Sequence, residues 1–308
     1  MTAKREHKVS KKTARRDFTT VGAFLIVYSL IVLIIPYFLR SFLALTSPEI
    51  VSDNLFYYGI YFIIILFGTL LPFFMMRKYA KLPFKKFNHG SSISFVEIMV
   101  QTIVFFTASL VLTYLSNIVF TRFGLGDKLI AGIGFSYEGN NLNNWLYVFM
   151  LVLVSPILEE YAFRGVLMHT LSKYGKLFGL IASSIIFALA HVNFAEMLPA
   201  FAMGYLLGGI TLRYKSIRPT IIIHILFNLF IYGLCILPSS IAQYMAYGLV
   251  AVFVLSLYFI VSGKFQGVQI VTLRNSRITN TLFYTSWTVV LAMILMIVST
   301  CLRTFVAL

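Results

Sequence analysis

Nine apolar runs, each close to the length of a membrane-crossing helix, divide this chain of 308 residues. A transmembrane helix needs about 20 apolar residues, so runs of this length limit the fold more than any other feature does. The runs fall at 20–44, 55–76, 94–121, 143–172, 177–195, 198–213, 219–237, 240–262 and 281–303. Only 11% of the residues are charged and 59% are hydrophobic, which excludes a soluble globular domain. The sequence predicts an all-α polytopic membrane protein, a bundle of eight to nine transmembrane helices with a polar cavity in the membrane.

The 25 Lys and Arg residues are concentrated in alternate connections between the runs. Twenty of them fall in the segments 1–17, 77–86, 173–176, 213–218 and 264–277. Cytoplasmic connections of membrane proteins carry such an excess of basic residues. We therefore predict a multi-pass protein of the cell membrane with its N-terminus in the cytoplasm. On this interpretation the net charge of +15 reflects topology and the lipid bilayer as partner, and no nucleic acid is expected.

The predicted organisation has four parts. Residues 1–17 form a basic cytoplasmic tail, and 18–135 form N-terminal transmembrane helices. Residues 143–235 form a catalytic core, and 240–308 form C-terminal transmembrane helices. The chemistry is assigned to the third part because its apolar runs contain ionisable residues.

Two adjacent acids, Glu159 and Glu160, lie inside an apolar run. Charge within a membrane costs about 2.5–3.5 kcal/mol per residue, so such residues are candidates for a functional site. On a helix, residues i and i+4 share a face, which pairs Glu160 with Arg164. Glu159 is left without a local counter-charge and is the candidate general base. A purely stabilising Glu-Glu-Arg cluster at a helix end is the alternative.

Two further runs contain histidine. His191 follows Phe187 by four residues, and His224 precedes Asn228 by four, so each pair shares a helix face. Glu159 and His191 lie 14 and 15 residues from Lys173 and Lys176, which places both at roughly 21–22 Å from one connection. These two can meet. Counted from Arg218, the second pair is expected to lie less deep, at roughly 9–15 Å.

The three motifs resemble a known family when taken in order. EEYAFR at 159–164 fits EExxxR, FALAH at 187–191 fits FxxxH, and HILFN at 224–228 fits HxxxN. This order on successive membrane helices is similar to that of the CAAX prenyl protease type II family, also called the CPBP or Abi intramembrane endopeptidases. The resemblance covers about residues 143–235. The helices outside it are assigned to membrane packing and substrate access.

The resemblance implies a glutamate-dependent endopeptidase without a cofactor or a metal. Glu159 would be the general base on a water that His191 orients, and His224 with Asn228 would stabilise the oxyanion. Glu160, Arg164 and Phe187 would support the site. Members of the family act on prenylated CAAX proteins or, in bacteria, in bacteriocin processing, immunity and surface display. The basic connections favour a bacterial protein that cleaves an unprenylated membrane-associated peptide or protein.

Two alternative functions stay open at this point. Two Glu and two His side chains could ligate zinc in a metalloprotease, although the chain has no HExxH motif. A non-catalytic immunity or transport-like protein could use the same polar residues for binding. Such a transporter predicts broken helices in two matching halves, and Pro156 has no counterpart in a second half.

Overall fold

The computed structural model describes residues 10–52, 54–83, 93–124, 142–236 and 277–305, and single helical positions between 241 and 258. The elements in these ranges are all helices. Five are long and apolar enough to cross a membrane, and two further apolar helices are shorter. The five are Lys11–Thr46, Gly59–Tyr79, Phe95–Arg122, Phe194–Tyr214 and Trp287–Thr304, and the two are Lys176–Ala190 and Arg218–Gly233. The protein is therefore an all-α polytopic membrane protein, as its composition predicts.

The first three predicted spans are helical. The first consists of α1 (Lys11–Tyr28), a π-helical segment (Ser29–Ile34) and α2 (Ile35–Thr46). It begins earlier than predicted because Ser10 accepts a hydrogen bond from the Thr13 amide and caps the basic segment. The next elements are α3 (Pro48–Ser52), α4 (Asn54–Tyr79) and α5 (Phe95–Arg122).

The fourth predicted span is one helical run whose winding changes four times. Its parts are α6 (Leu142–Phe149), a π-helical segment (Met150–Val154), α7 (Ser155–Glu159), a second π-helical segment (Glu160–Met168) and α8 (His169–Ser172). Wide turns of this kind are rare and often mark functional sites. The second wide segment begins at Glu160, so the change in winding falls between the two glutamates.

Three helices complete the predicted core: α9 (Lys176–Ala190), α10 (Phe194–Tyr214) and α11 (Arg218–Ile236). The boundary between α9 and α10 lies earlier than the predicted break at 195–198. Asn193 causes the shift, because its side chain accepts a hydrogen bond from the Ala195 amide and caps α10. His191 consequently lies at the C-terminal cap of α9.

The last predicted span, 281–303, is divided into α12 (Arg277–Tyr284) and α13 (Trp287–Phe305). α13 begins beside the middle of α1, two residues from Asp17, where the Thr288 hydroxyl donates a hydrogen bond to the Thr19 carbonyl at 2.8 Å. α1 and α13 therefore start at the same end of the molecule. The predicted span 240–262 lies almost wholly outside the described residues.

Two glycines allow α10 to pack closely on α9. A Cβ on Gly204 would come within 3.1 Å of Ser184, and a Cβ on Gly208 would collide with Leu180. Small residues at such positions let membrane helices approach each other without a side chain between them. This packing holds α9, the helix that precedes His191, closely against α10.

A buried carboxylate joins three elements at the end of the molecule where α1 begins. Asp17, with a side chain only 8% exposed, forms an ion pair with Lys173. It also accepts hydrogen bonds from the hydroxyls of Tyr79 at 2.8 Å and Tyr174 at 2.7 Å. We call Asp17, Tyr79, Lys173 and Tyr174 the Asp17 cluster. It links α1 and α4 to the connection after α8. The sequence does not predict this cluster, because Asp17 lies in a segment that is interpreted as a polar tail.

Candidate active site

The two adjacent glutamates point into different surroundings. Glu159 ends α7 and Glu160 starts the π-helical segment, and successive residues of a helix diverge by about 100°. The Glu160 side chain is fully buried, whereas that of Glu159 is 26% exposed. The helix thus separates a sealed side from an open side.

The sealed side is an ion cluster. Arg164 Nη1 lies 2.8 Å from Glu160 Oε1, which is the i to i+4 pair that the sequence predicts. His224 Nδ1 donates a hydrogen bond to the same oxygen at 2.9 Å. The side chains of Arg164 and His224 are only 2% and 3% exposed. We call Glu160, Arg164 and His224 the sealed cluster.

Phe187 closes the sealed cluster from α9. The Arg164 guanidinium lies over its ring, 4.0 Å from the centroid, and the Phe163 ring packs against it at 5.1 Å. A buried guanidinium over an aromatic face is stabilised by the ring quadrupole. The position of Phe187 therefore fits the supporting role expected of the first residue of FxxxH.

Glu159 faces the open side. The Ser155 hydroxyl, one turn earlier on the same face, donates a hydrogen bond to Glu159 Oε1 at 2.5 Å. His224 Nε2 lies 3.8 Å from Glu159 Oε2. The imidazole of His224 is thus held between the two carboxylates. The sequence analysis missed Ser155, although its spacing of four residues from Glu159 is a usable signal.

His191 reaches the same open side from α9. Its Nδ1 donates a hydrogen bond to the Phe187 carbonyl at 2.8 Å, because a carbonyl oxygen can only accept. In the neutral ring this leaves Nε2 as an acceptor. His191 and Glu159 line one cavity, so the structure brings together the two residues that the depth count allows to meet.

His224 lies deeper than the count from Arg218 predicts, because it contacts both glutamates. The reason is the position at which α11 starts. Ile217, just before α11, is buried and packs beside Gly165, partway along the helix that contains the glutamates. The residue that leads into α11 is therefore buried at the level of Gly165, and His224 is about as far along the chain from this contact as Glu159 is.

Asn228 takes a partner that the sequence does not predict. Its side-chain amide donates a hydrogen bond to the Leu151 carbonyl at 2.9 Å. In the π-helical turn there, the Ser155 amide bonds to the Met150 carbonyl, and Pro156 has no N–H to offer. Leu151 thus lacks the usual donor, and Asn228 supplies one. Buried carbonyls without a donor are costly, so this bond helps to hold α11 against the helix that contains Glu159.

The cavity beside Glu159 and His191 has a volume of about 250 Å³. A water molecule in the liquid occupies about 30 Å³, so the cavity has room for a water and a short stretch of substrate. Most of its lining is apolar, from the π-helical segment after α1, from α4, from the run 142–172, and from α9 and the residue pair that follows it. Besides the two predicted residues, the polar lining consists of Tyr28, Tyr61, Thr69, Ser155 and Arg303.

The helices outside the predicted core therefore contribute to the site. Tyr28 comes from α1, Tyr61 and Thr69 from α4, and Arg303 from the last turn of α13. The sequence assigns these helices only to packing and substrate access, because nothing in their apolar patterns distinguishes a cavity-facing hydroxyl from an interfacial one. In the part of the chain that the structure describes, no three His, Cys, Asp or Glu side chains are grouped to hold a metal ion.

The part of the chain that contains this site is similar to a known protein family. Residues 141–230 match the family model described as Type II CAAX prenyl endopeptidase Rce1-like. The resemblance predicted from the three motifs is confirmed. The match contains all seven residues of those motifs that the sequence analysis selected: Glu159, Glu160, Arg164, Phe187, His191, His224 and Asn228.

Two curated bacterial proteins are similar to this chain. One is the membrane-embedded CAAX protease MroQ of Staphylococcus aureus (strain USA300), 33% identical over 28% of this chain and 38% of the relative. The other is YdiL of Bacillus subtilis (strain 168), named as a membrane peptidase, 32% identical over 28% of this chain and 36% of the relative. The chain thus matches little more than a third of the length of each relative. No solved structure matches the chain.

Proposed function

We propose that this protein is an intramembrane endopeptidase that cleaves a membrane-associated peptide or protein with a water activated by Glu159. The observation that carries the proposal is the division between the two glutamates. Glu159 lines the cavity together with His191, whereas Glu160 is buried and paired with Arg164 and His224. A general base must reach the water that it activates, and of the two glutamates only Glu159 lines the cavity.

The reaction follows from these positions. Glu159 takes a proton from a water in the cavity as the water oxygen attacks the carbonyl carbon of the scissile bond. The carbonyl oxygen becomes an oxyanion in the tetrahedral intermediate. When the C–N bond breaks, Glu159 returns the proton to the leaving nitrogen. His191 Nε2 accepts a hydrogen bond from the O–H that the water keeps, and the Ser155 hydroxyl holds the carboxylate in place.

His224 and Asn228 are the proposed oxyanion donors. Since His224 Nδ1 donates to Glu160, its Nε2 can donate as well only when the ring is doubly protonated. The Asn228 amide donates one of its two hydrogens to the Leu151 carbonyl, which leaves the second for an oxyanion. Steady-state kinetics of variants at these two positions tests this role.

The substrate is proposed to be an unprenylated apolar segment. The mostly apolar lining of the cavity supports an apolar segment, and the two relatives are named as membrane proteases. A cytoplasmic N-terminus remains part of the proposal. A reporter fused after Lys215 should then be cytoplasmic and one fused near Asp127 external.

The test compares membrane peptides from cells that express the parent protein, Glu159→Ala or the control Glu196→Ala. Glu196 is a carboxylate that accepts a hydrogen bond from Asn193 and does not line the cavity. Uncleaved peptides should accumulate only with Glu159→Ala, and their cleaved N-termini should appear with the other two proteins. Identical peptide sets would contradict the proposal.

Zinc dependence is separated in the same system. Purified protein in liposomes should keep its turnover in the presence of a chelator. If the chelator abolishes turnover and added zinc restores it, the reaction depends on a metal instead, since metal ligation is reversible in this way.

A further inference from the structure

Arg303 is a charged side chain in a part of the cavity that the family match does not include. It lies in the last turn of α13, outside residues 141–230, and lines the same cavity as Glu159 and His191. Among the described residues that line this cavity, it is the sole Lys or Arg.

The depth of Arg303 agrees with that of the other cavity residues. It follows Thr288, which is bonded to Thr19 close to Asp17 in α1, by 15 residues, or about 22 Å of helix. Glu159 precedes Lys173 of the Asp17 cluster by 14 residues, or about 21 Å. Both distances start from the same end of the molecule. The guanidinium therefore belongs at the level of the candidate catalytic residues.

Arg303 also differs from the other arginine at the site. Arg164 is buried and paired with Glu160, whereas Arg303 is exposed and forms no ion pair with any described carboxylate. The rest of the cavity lining is mainly apolar, and its polar members are the hydroxyls of Tyr28, Tyr61, Thr69 and Ser155 and the candidate catalytic residues Glu159 and His191. A positive charge without a fixed counter-ion, in an apolar cavity, is suited to bind an anion from the ligand.

We propose that Arg303 binds a carboxylate of the substrate and so selects apolar segments that carry an acidic group close to the cleaved bond. The inference rests on the proposed function. The guanidinium can form two parallel hydrogen bonds with a carboxylate, which fixes direction as well as charge. The carboxylate can be a C-terminus or an acidic side chain, and the two sources require separate probes.

The test measures binding rather than turnover, in protein that carries Glu159→Gln to prevent cleavage. Three fluorescent decapeptides of Leu, Ile, Val and Ala are used: one with a free C-terminal carboxylate, one amidated, and one amidated with a single internal Glu. Arg303→Gln should weaken binding of one or both carboxylate peptides about 10-fold or more, because a hydrogen bond to a charged group contributes about 1.5–3 kcal/mol. Which of the two peptides responds identifies the source of the carboxylate.

Three controls accompany this measurement. Binding of the amidated apolar peptide should not change, and Arg303→Lys should restore part of the loss. Arg122→Gln should have no effect, because Arg122 is also an exposed arginine in the last turn of a long helix but does not line the cavity.

Two kinds of result would overturn the inference. One is a lack of selectivity for the carboxylate, seen either as equal affinity of the Glu159→Gln protein for all three peptides or as an equal loss of affinity for all three in Arg303→Gln. The other is unchanged peptide binding combined with loss, in Arg303→Gln, of a rise in Tm caused by phosphatidylglycerol vesicles, which would assign Arg303 to lipid headgroups. Carboxylate-selective binding by a protein whose unmutated form hydrolyses no peptide would instead refute the proposed function and leave this inference standing.

Discussion

Glu159 and Glu160 are neighbours in the sequence, but the open side that Glu159 faces and the sealed side that Glu160 faces differ in burial, in charged partners and in access to the cavity. On the sealed side Glu160 is buried with a guanidinium and an imidazole as fixed partners. On the open side Glu159 has one short hydrogen bond from Ser155 and a partly exposed carboxylate in a cavity. The comparison teaches that identical side chains acquire different uses through the direction in which the helix points them.

The two sides should also differ in their response to amino-acid substitutions. The sealed cluster has no solvent to replace a lost partner, so removal of one member leaves a buried charge uncompensated. The open cavity admits water, so removal of a partner there changes the chemistry more than the fold. We therefore expect substitutions on the sealed side to lower stability and substitutions on the open side to lower turnover.

The largest effect is expected from Glu159→Gln. The amide keeps the size of the side chain but cannot take a proton, so kcat should fall by about 10²–10⁴-fold. Tm should stay near that of the parent. Glu160→Gln is the matched control and should lower Tm, because Arg164 and His224 lose their carboxylate. If Glu159→Gln instead lowers Tm and keeps its kcat, while Glu160→Gln loses kcat and keeps its Tm, the assignment of the two sides is wrong.

Arg164→Leu tests the sealed side. It leaves Glu160 buried without its guanidinium, which should cost about 3–5 kcal/mol of stability and lower Tm and abundance. Adding Glu160→Leu removes the stranded charge and should restore both. Unchanged melting with abolished turnover would mean that Arg164 contacts substrate or water, and the comparison would fail.

Asn228→Ala distinguishes an oxyanion donor from a structural bond. A donor to the transition state should lower kcat by about 10²–10³-fold with little change in KM. If Asn228 only satisfies the Leu151 carbonyl, the variant should lose about 1 kcal/mol of stability and keep its kcat. His224→Ala is measured in parallel, and rescue of either variant by zinc would contradict the glutamate-and-water mechanism.

Ser155→Ala should give the smallest effect. The variant loses a hydrogen bond to a carboxylate, worth about 1.5–3 kcal/mol when buried, but water in the cavity can replace part of it. We expect a loss of about 10-fold in kcat with unchanged KM, and recovery in Ser155→Thr, which keeps the hydroxyl. Equal losses in Ser155→Ala and Ser155→Thr would show that packing, not the hydroxyl, matters here.

Local sequence patterns predict most of the helices and part of the candidate site. The apolar runs predict the helices because a membrane leaves no other way to satisfy the backbone, and the described runs are helical. Spacing alone pairs Glu160 with Arg164, since residues four apart share a helix face in any fold. Counting residues from a common connection also predicts one depth for Glu159 and His191, because the run with Glu159 ends at that connection and α9 starts there.

The remaining features depend on how separate helices pack, which no short pattern encodes. The depth of His224 follows from the buried start of α11 beside Gly165, and the bond from Asn228 to Leu151 follows from a wide turn and Pro156 on another helix. The Asp17 cluster and the cavity position of Arg303 join residues more than a hundred positions apart. Helix periodicity determines the face of a side chain, but its partner is decided only when a second helix arrives at a particular depth and angle.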